Sequence, residues 1–430
     1  MTDTLADTPL LTASEKKSVR IRWFLVGFLI LGGVVNYLDR STLSVANTTI
    51  AGEFGLNAFQ MGLLLSAFSW PYAIANLPAG YLVDKFGPKR MFAFAAGAWS
   101  LVSMVTAAAN SFGVLYALRV ALGITESPFF TSALKVNERW FNKRERALPV
   151  ALVNTGSQIA NAIAPPLLTF LLLTMSWRGM FIIVGALGIV VALVWLRIYR
   201  DPTLREQAMI KGAQAQEAIV STEPKVGWGG LLRQPNTWFM VLGAFGIFYT
   251  VWVYLTWLPS YLQTARGFSL SQSGWLASLP FLCGIIGVIF GGWLSNRLVT
   301  RGVNTVRARK IPIVGGAVLA AAAVLPVAYV DNTALAIALL SLGYFASQVP
   351  IGCLWTLASD IAPSNQVASL GAIQNFGGFV GAAVAPVVTG AILTATGGNY
   401  TLVFLIGGAL LLVGALSYGL FVKDRSGRTA

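Results

Sequence analysis

Four ionisable residues sit inside otherwise apolar stretches: the neighbours Asp39 and Arg40, and the pair Arg119 and Glu126, seven positions apart. Seven residues is nearly two helical turns, so Arg119 and Glu126 share one face about 10 Å apart. Asp39 and Arg40 point about 100° apart and cannot pair face to face. A charge near the centre of a bilayer costs at least ~2.5–3.5 kcal/mol, so each of the four needs a reason to be there. Arginine stays protonated and offers a planar fork that suits a carboxylate, which makes Arg40 and Arg119 candidates for holding an anionic substrate. A carboxyl group keeps or loses its proton according to its desolvation and the approach of a cation, which makes Asp39 and Glu126 candidate proton carriers. The expected arrangement is one cluster of two acids and two arginines lining a cavity. The bland reading is a salt-bridge cluster that only holds two helices together. Lys135 lies near a helix end, where its long stem can snorkel to water.

These residues need a membrane around them. Of 430 residues, 56% are apolar and 11% charged, less than half the charge of an ordinary soluble domain. That apolar supply suffices for roughly twelve spanning helices of about 20 residues. Hydropathy and turn signals place them at 21–46, 58–82, 90–108, 112–134, 147–172, 179–199, 237–263, 272–296, 311–329, 334–358, 367–394 and 400–422. Cys283 and Cys353 lie in apolar stretches and do not form a disulfide framework, and the chain has no histidine.

Formal net charge is +14, distributed in loops rather than in a nucleic-acid-binding patch. The loops on one face hold nearly all the lysines and arginines, whereas those on the other hold only Arg178 and Arg266. By the positive-inside rule both termini are cytoplasmic. The expected division is a tail (1–20), a six-helix bundle (21–199), a cytoplasmic linker (200–236), a second six-helix bundle (237–422) and a tail (423–430). A surface helix over 204–220 would fit the linker. The bundles read as repeats. Gly80–Lys85 aligns with Gly292–Arg297 at an offset of 212, and Asn154, Gly156, Ala162, Ala164 and Pro165 align with Asn375, Gly377, Ala383, Ala385 and Pro386 at 221. Parallel repeats about an axis normal to the membrane enclose a central cavity suited to alternating access.

The segment Gly80–Arg90, GYLVDKFGPKR, resembles the loop 2–3 signature of the major facilitator superfamily. Asn36-Tyr37-Leu38-Asp39-Arg40, Leu118-Arg119 with Glu126-Ser127-Pro128, and Trp140-Phe141 with Glu145-Arg146 resemble its anion:cation symporter family. Bacterial galactonate, hexuronate and glucarate transporters are members of that family. The resemblance implies an all-α fold of 12 transmembrane helices in two bundles, and proton-coupled uptake of an organic anion. It implies the same roles for Asp39, Glu126, Arg40 and Arg119, and ligand contacts at Tyr37, Tyr72, Trp355, Ser359 and Asn375. Some galactonate-type members carry Gly-Gln where this chain has Gly156-Ser157-Gln158; either Ser157 or Gln158 takes the glutamine's place. Gln374 is a further polar candidate, whereas Trp252, Tyr254 and Trp257 are expected to pack in the core. On the cytoplasmic face, Asp84 can cap a helix or pair with a neighbouring arginine such as Arg139, and the resemblance implies a gate latch there. Arg144 and Arg146 belong to the same loop cluster.

The expectation is therefore a monomeric symporter of the bacterial inner membrane that imports a sugar acid with protons and uses no cofactor or metal. Its partners are the anion, protons and membrane lipid, with no nucleic acid. Rivals within transport are a carrier of aromatic or other carboxylates and a drug/proton antiporter, against which two buried arginines weigh. A membrane-embedded enzyme or a sensor has no catalytic set, nucleotide loop or output domain in the sequence to support it.

Overall fold

The computed structural model describes residues 13–142, 145, 147–204, 206, 228–362 and 367–423, which are helical with no strand. Residues 1–12 and 424–430 of the two tails, Arg144, Arg146 and the expected 204–220 helix, apart from Leu204 and Glu206, lie outside the described residues.

Eight helices are continuous and apolar enough to cross a membrane, among them Pro235–Thr264, Leu270–Thr300 and Thr333–Ile361. The sequence reading of twelve spans is reconciled with these eight by identifiable breaks. Ala147–Ile198 is one helical run containing spans five and six, bent back at Ser176, whose φ of 71° is the one left-handed value at a non-glycine among the described residues. Span two is two pieces, Ala58–Ser66 and Ser69–Phe86. Span four is Phe112–Glu126 followed by Pro128–Trp140. Pro128 has no N–H to continue the ladder, and the Ile124 carbonyl instead accepts the Ser127 hydroxyl at 2.9 Å. Span three, Pro88–Thr106, is continuous but begins with Lys89 and Arg90.

Each half packs as its own bundle. In the first, Trp195 lies against Phe92 (4.3 Å between ring centroids) and Tyr199 (4.5 Å), clamping span six to span three. In the second, Gly246 and Gly381 bring Pro235–Thr264 against Thr401–Leu416 and Val367–Ala395.

The halves meet on the face with few charges. There Ser44 donates to the Thr256 carbonyl (2.9 Å), Thr48 to Gln263 Oε1 (2.8 Å), Ser66 to the Ala383 carbonyl (2.6 Å), and the Phe59 N–H to Thr394 Oγ1 (2.9 Å). Backbones touch along the same seam. A Cβ on Gly62 would stand 2.4 Å from the Pro386 oxygen, and one on Gly390 would stand 2.3 Å from the Ala58 oxygen. Gly274 faces Thr169, whose Oγ1 a Cβ would meet at 2.4 Å. Gly62 and Gly274 are related by the offset of 212 found in the sequence, and Thr169 and Gly390 by that of 221. Spans two and eleven thus repeat the contact of spans eight and five, with threonine in place of one glycine. On the basic face, no hydrogen bond or ion pair joins the halves among the described residues. Hydrogen bonds between the described residues of the two halves are thus confined to the face with few charges.

Candidate substrate and coupling site

The site begins where span one passes the break in span four. Glu126 is the last residue before that break and is wholly buried. Its Oε2 accepts from Arg40 Nε at 2.7 Å. The Arg40 guanidinium lies over three rings, Tyr37 (4.6 Å), Phe68 (4.5 Å) and Tyr72 (4.6 Å). Rings on several sides hold a cation by their negative faces and keep water from it. The side chain of buried Asn36, on span one, also faces the Glu126 carboxyl.

The four charges lie within electrostatic reach of one another, but among the described residues only Arg40 and Glu126 form an ion pair. Asp39, also wholly buried, turns toward span three, where the Ser103 hydroxyl donates to its Oδ1 and the Trp99 indole also faces the carboxyl. Arg119 forms no ion pair among the described residues. It is 4% exposed, and its Nη2 donates to Thr42 Oγ1 at a long 3.3 Å. Thr42 in turn donates to the Asp39 carbonyl, so the hydroxyl joins the two ionic residues without neutralising either. Arg119 and Glu126 do share a face, as their spacing requires. The Asp39 rotamer, by contrast, depends on where span three stands, which no local pattern states.

Arg40 and Arg119 line one small pocket between the bundles, together with Tyr37, Ser69, Trp252 and Thr256. Its volume of about 50 Å³ holds a few waters and no more. Trp252 belongs to this pocket and lies 6.0 Å from Phe379. That corrects its assignment to the core, whereas Tyr254 and Trp257 are buried as expected. Tyr72 packs on Phe68 and, across the interface, on Phe379 at 5.4 Å. The Tyr37 hydroxyl faces Ser157. Gln158 is half-buried, and its Oε1 has no partner among the described residues.

From the second half, Trp355 and Ser359 are exposed toward the basic face, with Trp355 against Gly371. Asn375 is half-buried, while Gln374 turns inward and donates to the Leu354 carbonyl at 3.2 Å. These residues stand apart from the arginines in this conformation. Sequence reasoning did not single out Phe68, Thr42 or Ser103. A serine one turn from Trp99 in an apolar helix carries no signal of its own.

The model of the Major Facilitator Superfamily matches residues 29–386. The chain belongs to that superfamily. It is 37% identical to a probable L-galactonate transporter of Escherichia coli (strain K12), over 97% of this chain and 94% of the relative. It is 33% identical to a probable galactarate/D-glucarate transporter of Bacillus subtilis (strain 168), over 94% and 93%. Among solved structures, a bacterial homologue of the human lysosomal transporter Spinster, inward-facing and occupied, superimposes with a TM-score of 0.77 at 18% identity, over 94% and 97% of the two chains. The protein is a multi-pass membrane transporter, not an enzyme.

The superfamily's loop 2–3 signature lies on the basic face. Asp84 pairs with Lys135 (2.9 Å), which also reaches Glu138 (2.8 Å). Arg139 pairs instead with Asp201, at the start of the linker, which also accepts from the Tyr199 hydroxyl. Asp84 and Arg139 are therefore neighbours in separate pairs, and Lys135 is a salt-bridge partner rather than a snorkelling chain. All these contacts stay within the first half.

Proposed function

We propose that this transporter imports a sugar acid together with protons across a bacterial inner membrane, as a monomer with both termini cytoplasmic. The observation that carries the reading is Arg119: a buried guanidinium in no ion pair among the described residues, beside a pocket it shares with Arg40. Leaving an ion buried and uncompensated costs several kcal/mol, and a carboxylate from solution would offset that cost. The names of the similar transporters support a polyhydroxylated acid as the carrier of that carboxylate.

Protonation of Glu126 removes the charge that holds Arg40 Nε, so two guanidinium groups become available to one anion. Tyr37, Tyr72 and Asn375 are positioned to meet hydroxyls as the halves close over the substrate, with Trp355 and Ser359 nearer the mouth. The anion and proton enter together because each lowers the cost of burying the other. After release on the basic face, Glu126 ionises and takes Arg40 back, which resets the empty carrier. The strong charge asymmetry supports assigning the basic face to the cytoplasm; the conformation described is then inward-facing. The pairs Asp84–Lys135 and Arg139–Asp201 would form part of the gate on that side.

External pH is recorded while carboxylates are added to de-energised cells expressing the protein. L-galactonate, galactarate, D-glucuronate and an aromatic acid form the panel. Alkalinisation by a sugar acid, absent in Arg40→Ala, is expected. A response to the aromatic acid alone would replace the substrate class, and no response to any member would overturn the symport reading.

A further inference from the structure

We propose that Ser103, on span three, is a positioning residue for the proton carried by Asp39, and that this proton sits apart from the substrate pocket. The inference rests on the proton-coupled reading above and deepens it. Asp39 is wholly buried, and Asp39 is absent from the lining of the pocket that holds Arg40 and Arg119. The hydroxyl of Ser103, itself 1% exposed, donates to its Oδ1, and the indole of Trp99, one turn before Ser103 on span three, also faces the carboxylate. The charged groups around it are its neighbour Arg40 and, from span four, Arg119 and Glu126. Spans three, five, six and seven place no charged side chain in the middle of the membrane.

A hydroxyl suits this place for a chemical reason. It donates to the carboxylate when Asp39 is ionised and accepts from the carboxylic acid when Asp39 is protonated. The contact between spans one and three therefore survives both states, and loading the proton does not pull the bundle apart. An ammonium group, which donates and cannot accept, would favour only the charged form. With alanine at 103, the ionised form loses a hydrogen bond that favours it. Asp39 then releases its proton only at higher pH.

The experiment measures L-galactonate uptake against pH in proteoliposomes, together with counterflow, which needs no net proton movement. In Ser103→Ala the midpoint of the uptake profile is expected to move alkaline by about one pH unit, the equivalent of one hydrogen bond to a charged group. Ser103→Thr, which keeps the hydroxyl, is expected to restore the profile. A purely structural serine would lower the rate of both assays and leave the midpoint in place, which would overturn the proposal. Should the alanine variant not fold, Ser103→Cys decides, because its weak donor must still move the midpoint alkaline. Wild-type uptake that ignores pH would overturn the symport reading itself, a different result from an unmoved midpoint in a pH-dependent carrier.

Discussion

Arg40 and Arg119 have the same side chain and opposite circumstances. Arg40 has a carboxylate and three aromatic rings; Arg119 has one distant hydroxyl and the Phe181 ring at 5.6 Å, and no ion pair among the described residues. Arg119→Gln should raise the KM of L-galactonate counterflow by about 10- to 100-fold, the loss of a charge-assisted hydrogen bond. Arg119→Lys should rescue it poorly, since an ammonium lacks the planar fork. Glu126→Gln mimics the protonated acid and leaves Arg40 permanently released. Counterflow should persist in that variant while accumulation driven by a pH gradient disappears; accumulation at the wild-type level would remove Glu126 from the coupling step. Residue types and spacing made these four residues legible in the sequence, because charge in an apolar helix is conspicuous. Their partners were not, since a ring cage such as Phe68 looks like any other core aromatic until the helices are assembled.

At the scale of elements, hydropathy located twelve spans but not their breaks. The break at Ser127 follows from Pro128. The turn at Ser176 falls in the gap between the spans read at 147–172 and 179–199, although no proline or glycine at its centre fixes the residue at which the chain bends. The loops at that turn are held by a compact clamp on the face with few charges. Glu53 accepts from Trp177 Nε1 (2.6 Å) and Arg178 Nη2 (2.7 Å), and Arg178 stacks on Trp177 at 4.2 Å. The hydrogen bonds from Arg178 and then Trp177 hold the Glu53 carboxyl below the ordinary carboxylate range. A group whose acidity is strengthened by folding stabilises the fold above its unfolded-state value and ceases to as pH falls through its folded value. Glu53→Gln should therefore melt about 1–2 °C below wild type at neutral pH, a small gap because the pair is partly exposed. That gap should close on acidification below about pH 4. Differential scanning fluorimetry at a series of pH values would settle it, and a gap independent of pH would discard the clamp.

For the whole molecule, the repeat read from two sequence offsets reappears as the geometry of the closed seam. The seam's two arms differ in what an added methyl would strike. At Gly62 and Gly390 the obstacle is a backbone carbonyl, which cannot yield without moving a helix. At Gly274 it is the Thr169 side chain, which can rotate. Gly62→Val should hold the sparsely charged face apart, and Gly274→Ala should leave transport within about twofold of wild type. Maleimide labelling of Ser44→Cys, a seam position, tests this: labelling should rise in the Gly62→Val background and stay at its basal level with Gly274→Ala. Equal labelling in the two backgrounds would show that the arms do not differ.

All four charges in the middle of the membrane, Asp39, Arg40, Arg119 and Glu126, belong to the first half; the spans of the second half carry none between their ends. Membrane voltage does work only on charge that moves, about 2.3 kcal/mol per elementary charge per 100 mV. The electric field therefore has no grip on the second bundle, and with both acids ionised the four charges of the first sum to zero. The empty carrier's return stroke should be electrically silent, and any current the transporter draws must come from the protons in excess of the anion's own charge.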